Sequence, residues 1–370
     1  MIFGNLKWQS NVYIGLLLIL FFSVNSCTEK RNENSFKTKI KSIRYLNPID
    51  SVDFVYNSPT WKGDSLNYYD NRYGYSLFLY ANNSFDLVSI NSNNELHRFD
   101  FKTNLHSYSK PFCKNEILAY SIDSNHINVL YNDTFYVKDY QLKNVDKFPF
   151  PKPNIQREHG IDFSIENSSN LFKIGDYYAI MYYIVDEKEE YRSTKYLFYY
   201  FNRDKAFFSN KMCDELENSF QYFRFPVIVA DKNFIYHAPR IMNCISKSNS
   251  SLTVRHKRID KKKDGYLKLN PEDQYQISKL KKYRFTSFYN KCLIHSGEKI
   301  YLFREFLKDS YFKKGIKNYD HDIELIVFNK NLEKQKSYYI KDNAYSFTFI
   351  KNSKLYLFDL NKNKYYIYEI

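Results

Sequence analysis

Residues 346–370 read SFTFIKNSKLYLFDLNKNKYYIYEI. Three runs rich in apolar residues, Ser346–Ile350, Lys354–Leu360 and Lys364–Ile370, are separated by short turns containing Asn and Lys. Short runs bounded by turn residues are typical of strands in an antiparallel meander. This stretch therefore predicts three consecutive strands, and a repeat of the same unit upstream would decide the fold.

A similar apolar strand recurs along the chain at a nearly constant interval. The strands are Ser76–Ala81, Ile127–Tyr131, Tyr178–Ile184, Phe234–His237, Lys299–Phe303 and Lys354–Asp359. Anchored at Phe78, Val129, Ile180, Ile235, Tyr301 and Tyr356, they are 51, 51, 55, 66 and 55 residues apart. A propeller blade of four antiparallel strands needs about 40 to 50 residues. The spacing predicts six such units.

Turns with a common chemistry fall in step with this repeat. In each, an apolar residue is followed by Asp or Asn and then by a turn rich in Lys and Asn. They are Phe99-Asp100, Phe201-Asn202, Ile259-Asp260, Phe328-Asn329 and Phe358-Asp359. Asp and Asn side chains accept hydrogen bonds from backbone groups just ahead of them and so favour turns. We expect these turns to connect the outer strands of each unit.

The last unit supplies three strands, so a fourth must come from elsewhere. Lys39–Leu46 (KIKSIRYL) is predicted to be this strand, because closure by an N-terminal strand protects the sheet edges of a propeller. The fold prediction is all-β, a six-bladed β-propeller over residues 39–370 with the N-terminal strand closing the last blade. A β-sandwich or a two-domain all-β protein is the alternative. Asp146–Ser169 is expected to be a connecting loop.

The N-terminus has the features of a bacterial secretion signal. Ile14–Phe22 (IGLLLILFF) is apolar throughout but too short to span a membrane, which takes about 20 residues. Val24-Asn25-Ser26-Cys27 resembles the lipobox of bacterial lipoproteins, in which the cysteine is acylated and becomes the new N-terminus. The alternative is an ordinary cleaved signal with an incidental cysteine. Residues 1–26 are predicted to be the lipoprotein signal peptide, Cys27 the lipidation site, and residues 27–38 a polar tether.

The signal peptide, the lipobox and the repeated strands together resemble the six-bladed, TolB-like β-propeller lipoproteins of uncharacterised function. This resemblance covers nearly the whole chain after Cys27 and rests on a pattern of strands. It implies a propeller fold and a lipid-anchored location in the cell envelope. It implies no activity, because propellers host many unrelated functions.

The aromatic content indicates an ordered β protein. Aromatic residues make up 19% of the chain, with 37 Tyr and 32 Phe, which excludes a disordered protein and favours strands.

The charge of the chain bears on the class of partner. The formal net charge is +14. No nucleic-acid-binding module accompanies this charge, so we expect no nucleic-acid partner. The expected partners are the membrane, through lipidated Cys27, and a protein or glycan.

The cysteines beyond Cys27 leave the disulfide state open. Cys113, Cys213, Cys244 and Cys292 allow three pairings. The compartment outside the inner membrane can be oxidising, but four scattered cysteines in a chain of this length are not a disulfide scaffold. Buried thiols are the expected state. No Cys or His spacing indicates a zinc site.

No motif for a known catalytic class is present, so no catalytic residue, metal ligand or cofactor is assigned. Acidic clusters at Asp64–Asp70 and at Asn318–Asp322, which contains His321, are expected to be solvated turns rather than cation sites. Arg157-Glu158-His159 is expected to be surface in the long loop.

A basic run, Arg255-His256-Lys257-Arg258, precedes Lys261–Lys263 and a second basic group between Lys279 and Arg284. It is either a solvated outer strand with its turn, or a contact for anionic lipid headgroups or acidic glycans.

These patterns favour a binding or scaffolding module over an enzyme. The predicted function is a membrane-anchored envelope lipoprotein whose propeller binds a protein or glycan. The alternative is a propeller-based hydrolase or lyase with a metal or carboxylate site in its central channel. The predicted location is the periplasmic or outward face of a lipid bilayer, with the inner and outer membranes both open.

Overall fold

The computed structural model describes the larger part of a compact unit, Tyr45–Ile370. The described residues are 45–53, 87–90, 94–100, 103, 105–115, 117–123, 125–153, 161–164, 169–186, 194–209, 226–239, 243–251, 254–259, 289–307, 321–341, 345–359, 362 and 364–370. They form strands, turns and connections and contain no helix. None of them therefore belongs to a helix that could cross a membrane.

The strands are numbered in chain order. The first twelve are β1 (Asp50–Asp53), β2 (Leu87–Ile90), β3 (Leu96–Asp100), β4 (Leu105–Tyr108), β5 (Ala119–Ile122), β6 (Ile127–Tyr131), β7 (Thr134–Lys138), β8 (Asn144–Pro149), β9 (Ile161–Ser164), β10 (Ser169–Ile174), β11 (Tyr177–Asp186) and β12 (Thr194–Phe201). The others are β13 (Ala206–Phe208), β14 (Pro226–Ala230), β15 (Ile235–Pro239), β16 (Cys244–Ser248), β17 (Val254–Arg258), β18 (Tyr289–Ser296), β19 (Lys299–Leu307), β20 (His321–Asn329), β21 (Lys334–Ile340), β22 (Tyr345–Lys351), β23 (Lys354–Asp359) and β24 (Lys364–Glu369).

Consecutive strands pair antiparallel in successive meanders. β14–β17 and β18–β21 are four-stranded sheets in which spatial order follows chain order, and β2–β4 is three-stranded within the described residues. β5–β8 and β10–β13 follow the same order and are joined by a two-residue parallel contact between β10 and β5. The first strands lie side by side, β10 next to β14, β14 next to β18 and β18 next to β22. This is how the inner strands of propeller blades meet.

The predicted repeat is confirmed wherever it can be compared. Val129, Ile180, Ile235, Tyr301 and Tyr356 lie on β6, β11, β15, β19 and β23, each the second strand of its meander. This strand is packed on both faces, so its sequence is apolar almost throughout. The sixth anchor, Phe78, lies outside the described residues.

An N-terminal strand does complete the C-terminal sheet, but it is not the predicted one. β1 pairs antiparallel with β24, with Asp50 opposite Ile367 and Asp53 opposite Lys364. The prediction placed this strand at Lys39–Leu46, of which residues 39–44 lie outside the described residues. An edge strand is held by backbone pairing on one side, and β1 (DSVD) carries a single apolar side chain. A search for apolar periodicity therefore cannot find it.

The predicted loop Asp146–Ser169 also contains strands. Its first residues belong to β8, in which Phe148 is the one buried side chain, and Ile161–Ser164 is β9, paired with the far end of β11. β9 and β10 both pair with β11, so two short strands occupy the inner position of that sheet. The sequence shows little strand pattern here for two reasons. β8 is an exposed outer strand, and the inner position of the next sheet is divided between the short strands β9 and β10.

The Asp and Asn turns form as expected in the described outer hairpins. Asn202 Oδ1 accepts the backbone N–H of Lys205 at 2.8 Å, and Asn329 Oδ1 accepts that of Glu333 at 2.9 Å. The β3–β4 turn begins at Asp100, whose carboxylate accepts the Thr103 hydroxyl at 2.7 Å. The prediction was wrong for Asp359, which lies between β23 and β24, because the outer strand of that sheet is β1. Asp260 lies outside the described residues.

Apolar clusters fill the spaces between consecutive sheets. One cluster joins β10–β12 to β14 and β15 through residues such as Phe198, Tyr200 and Ile228. Another joins β19–β21 to β22–β24 through Phe303, Leu325 and others. Burial of apolar area at about 25 cal/mol per Å² is the main stabilising contribution, so each sheet depends on its neighbours.

Candidate functional site

The interface between the β14–β17 sheet and the β18–β21 sheet combines an apolar middle with polar groups at both ends. Tyr236, Ile245, Ile300, Leu302 and Phe328 fill the middle and are all buried. Side chains alternate between the two faces of a strand, so Arg304 lies on the same face of β19 as Ile300 and Leu302, nearer the C-terminal end of the strand. This interface is the candidate site.

Arg304 is the centre of the first polar group, which we call the arginine network. Its side chain is 0% exposed. Its Nε donates to Asn290 Oδ1 at 3.0 Å, and its Nη2 donates to Asn243 Oδ1 at 2.7 Å. Burial of a guanidinium is costly unless its donors find acceptors, and the two asparagine oxygens accept from two of its N–H groups.

The arginine network bridges the two sheets. Asn290 on β18 lies directly opposite Arg304 in the strand register, whereas Asn243 immediately precedes β16 of the other sheet. Asn290 Nδ2 donates to the Pro239 carbonyl oxygen at 2.6 Å, a second link to that sheet. Because its hydrogen bonds run across the interface, the network fixes how the two sheets meet beside Pro239 and Asn243.

Glu324 adds a buried carboxylate on the same face. It lies directly opposite Arg304 on β20 and is 2% exposed. Lys334 Nζ lies 3.8 Å from Glu324 Oε1. The arginine network and Glu324 therefore place charges of both signs in a region shielded from water, where electrostatic interactions are strong.

Asp231 organises the opposite end of the interface. Its Oδ1 accepts the backbone N–H groups of Asn233 at 2.7 Å and Phe234 at 2.8 Å, closing the β14–β15 turn. Its Oδ2 accepts the Tyr236 hydroxyl at 2.9 Å. Burial of Tyr236, reinforced by this hydrogen bond to Asp231, raises the pKa of the phenol. Tyr236 thus remains a neutral donor at physiological pH.

Two cationic side chains and one histidine surround Asp231. Lys247 is 6% exposed, donates from Nζ to the Lys330 carbonyl at 2.9 Å and lies 4.4 Å from the Phe234 ring centroid. Burial, and then the charge of Arg255, lower the pKa of Lys247. Lys330 Nζ pairs with Glu298 at 2.8 Å.

His295 on β18 completes this second polar group. Burial lowers the pKa of His295, and the opposing pull of Asp231 is smaller. Its imidazole is therefore neutral near pH 7, where it can accept or donate a hydrogen bond without carrying charge. Within the described residues, no group of three or more His, Cys, Asp or Glu side chains could hold a metal ion.

The residues singled out in the sequence are mostly not at this interface. Cys27, Asp64–Asp70 and Arg157–His159 lie outside the described residues, as do Cys213 and the basic groups Lys261–Lys263 and Lys279–Arg284. The three described cysteines, Cys113, Cys244 and Cys292, form no disulfide with one another and are half-buried rather than buried. Burial raises the pKa of the Cys113 thiol.

Two predicted local features can be placed. His321 and Asp322, expected in a turn, are the first residues of β20 and pair with Leu307 and Phe306. The backbone there extends β20 by two residues because the facing strand β19 is equally long. The basic run Arg255–Arg258 forms β17, the outer strand of its sheet, and Arg255, Lys257 and Arg258 are exposed.

Sequence reasoning missed Arg304, Asn290 and Asn243. Arg304 did carry a signal, because it is a charged residue in the strand Lys299–Leu307, whose preceding residues are all apolar after Lys299. Asn243 is 61 residues from Arg304, and the packing of the sheets brings them together. No local pattern in the sequence marks such a pair.

Comparison with known proteins agrees with the strand arrangement. No protein-family model matches the chain, and no curated protein matches it. A crystal structure of a DUF4221 family member from Bacteroides vulgatus is similar over 87% of this chain and 96% of its own, with a TM-score of 0.56 and 13% identity. The chain is a β-propeller. The Pan2 WD40 domain of Neurospora crassa is a more distant likeness, with a TM-score of 0.43 and 9% identity over 88% of this chain and 97% of its own.

Proposed function

We propose that this propeller is a lipid-anchored binding module of the bacterial cell envelope, held to a membrane through Cys27. The propeller presents turns and loops from rigid sheets, and such loops commonly carry binding sites. A protein or glycan is the proposed partner. The anchor places the module on the periplasmic or outward face of the inner or outer membrane.

The proposal includes six blades. They are β2–β4, β5–β8, β10–β13, β14–β17, β18–β21, and β22–β24 with β1. An apolar cluster lies between each consecutive pair in this series. The parallel contact between β10 and β5 is compatible with two blades, because it joins their first strands over two residues only. The TolB-like relationship belongs to the same proposal.

The pairing of β1 with β24 is the observation that supports the anchored arrangement best. It ties residues Asp50–Asp53 to the C-terminal sheet. Cys27 is eighteen residues before Tyr45, the first described residue. A fully extended link of that length spans at most about 60 Å. A lipid on Cys27 would therefore keep the propeller close to the bilayer.

Lipid labelling in cells tests the anchor. We expect radiolabelled palmitate to enter the wild-type protein and the Cys113→Ser variant, and the membrane fraction to contain both. The Cys27→Ser variant should lose the label and leave the membrane, because several acyl chains on one residue provide the stable attachment. Continued labelling of Cys27→Ser would overturn the proposed lipidation site.

A crosslinked pull-down tests the binding role. Native lipidated protein is captured from its own membranes, with Cys27→Ser as the unanchored control. A stoichiometric protein or glycan that is lost in the control supports an anchored binding module. A known envelope complex serves as the positive control for crosslinking. If that complex is captured and this protein is recovered without a partner, the result counts against a binding role.

A further inference from the structure

The cationic side chains of the outer strands are concentrated on two of them. β17 (VRHKR) carries three Lys or Arg residues, and β21 (KQKSYYI) carries two, and neither contains an acidic residue. Arg255, Lys257 and Arg258 of β17 are exposed, and so are Lys334 and Lys336 of β21. We call these five residues the basic rim.

The other described outer strands do not share this charge. β4 (LHSY) and β13 (AFF) carry neither Lys, Arg, Asp nor Glu. β8 (NVDKFP) has one residue of each sign, and β1 (DSVD) has two aspartates. The basic rim is therefore a local feature of two strands and does not simply reflect the high net charge of the chain.

The two basic strands belong to sheets that pack against each other. Lys247 of β16 donates to the Lys330 carbonyl in the β20–β21 turn. Ile259, the residue after β17, is buried in the apolar cluster between the two sheets. These contacts link the outer parts of the two sheets, so β17 and β21 are the outer strands of two sheets that pack against each other.

The first described residues contact β21, one of the two basic strands. Tyr45 forms a parallel bridge with Tyr339 of β21, and the Leu46 N–H donates to the Tyr339 carbonyl at 2.8 Å. Lys341 Nζ lies 4.5 Å from the Tyr45 ring centroid. Tyr45 is 38% exposed and Ile49 is 54% exposed. Tyr45, the first described residue, therefore lies against β21, the strand that carries Lys334 and Lys336, with a further cation at Lys341.

Like charges also lie beside the rim, across the β16–β17 pairing. Lys247 lies directly opposite Arg255 in the β16–β17 register, and like charges in that position are destabilising. Lys247 is also nearly buried, which increases the cost of its charge. An anionic surface next to the rim would reduce this repulsion.

We propose that the basic rim rests on the anionic phospholipid headgroups of the membrane that holds Cys27. This inference deepens the proposed function and rests on it. Basic groups gain attraction to an anionic leaflet within a Debye length of its surface. Tyr45, which is partly exposed against β21, can place its amphipathic ring in the headgroup region. The outer strands β17 and β21 would then be turned toward the bilayer.

Vesicle sedimentation with the unlipidated, full-length mature chain (Cys27→Ser) tests the contact. The vesicles contain phosphatidylglycerol and phosphatidylethanolamine, or phosphatidylcholine alone. We expect binding to the anionic vesicles only. Raising salt from about 0.1 M to about 1 M shortens the Debye length from about 10 Å to about 3 Å and should abolish that binding. Equal binding to both vesicle types overturns the proposal, and so does absence of binding at low salt.

Two triple variants of equal net charge locate the contact. Arg255→Gln/Lys257→Gln/Arg258→Gln should lower the vesicle partition coefficient about a hundredfold. The matched control, Lys147→Gln/Lys173→Gln/Lys205→Gln, removes three exposed lysines from other sheets and should change it little. Equal losses in both variants would show an effect of net charge alone and overturn the assignment to the rim. Circular dichroism and melting of both variants confirm that they fold.

A lipid surface and a site for single phosphate groups give different outcomes in the same assay. If the headgroups act as a surface, glycerol phosphate should displace the protein from anionic vesicles no better than chloride does at equal ionic strength. Saturable displacement by glycerol phosphate would indicate a discrete anion site and would overturn the proposal. The assay uses unlipidated protein, so its result does not depend on whether Cys27 is acylated. Failure of the anchor is detected separately, by the labelling experiment.

Discussion

Truncation of Arg304 to alanine should be one of the most damaging substitutions in the described part of the chain. The change leaves Asn290 Oδ1 and Asn243 Oδ1 without the guanidinium groups that donate to them at 3.0 and 2.7 Å. Each buried polar group left without its partner costs about 1–3 kcal/mol. Loss of packing adds to this cost, since the Arg304 side chain is 0% exposed. We expect the free energy of unfolding to fall by about 4 kcal/mol.

Urea unfolding followed by circular dichroism measures this effect against a matched control. Arg203 pairs with Asp146 at 2.6 Å but is 60% exposed, so Arg203→Ala should cost less than about 1 kcal/mol. Asn243→Ala and the Arg304→Ala/Asn243→Ala double variant complete a double-mutant cycle. If the network acts as a unit, the double variant costs clearly less than the sum of the single ones. Additive costs would show that Arg304 and Asn243 act independently, and a cost for Arg304→Ala no larger than that for Arg203→Ala would contradict the predicted role of the network.

Three further predictions concern pH, closure and turns. Burial lowers the pKa of His97 in the folded state, and the opposing effect of Glu95 is smaller, so the unfolded chain binds a proton at higher pH than the folded one. The free energy of unfolding should therefore fall as the pH drops below about 6.5. Urea titrations at several pH values measure this dependence on pH, which His97→Asn should weaken. A chain beginning at Phe54 lacks β1 and exposes the edge of β24. It should have a lower melting temperature than a chain beginning at Tyr45, and light scattering should show that it aggregates more. Equal melting temperatures would show that β1 contributes little. Asn329→Ala removes the acceptor for two backbone N–H groups of the β20–β21 turn and should cost about 1 kcal/mol by thermal melting, whereas an unchanged melting point would mean that the turn is fixed by its strands alone.

The strands that the sequence predicts are those packed on both faces. Val129 on β6 and Tyr301 on β19 stand in nearly continuous apolar runs, because each second strand contacts a neighbouring sheet on either side. The outer strands β1 and β8 bury few side chains and have little apolar pattern to read. Their positions follow from backbone pairing, which any residue except proline can supply.

The candidate site was less predictable than the strands for a related reason. Arg304 could have been singled out as a charge inside an apolar strand. Its partners Asn290 and Asn243 are 14 and 61 residues away, and which asparagine meets Arg304 is decided by the packing of two sheets. The basic run of β17 was visible, but its relation to β21 and to the N-terminal segment depends on the same packing.

The polar ends of the interface also explain how the basic rim can exist. Like charges on the outer strands of two neighbouring sheets act to separate those strands, although Glu324, 3.8 Å from Lys334, offsets part of this repulsion. The apolar cluster in the middle of the interface opposes separation but has no directional preference. The hydrogen bonds of Arg304 at one end and of Lys247 to the Lys330 carbonyl at the other are directional and cross from sheet to sheet. They resist rotation of one sheet against the other, so the basic rim keeps its geometry despite its charge. A rim held rigid in this way loses little conformational freedom when it meets an oppositely charged surface, which favours binding.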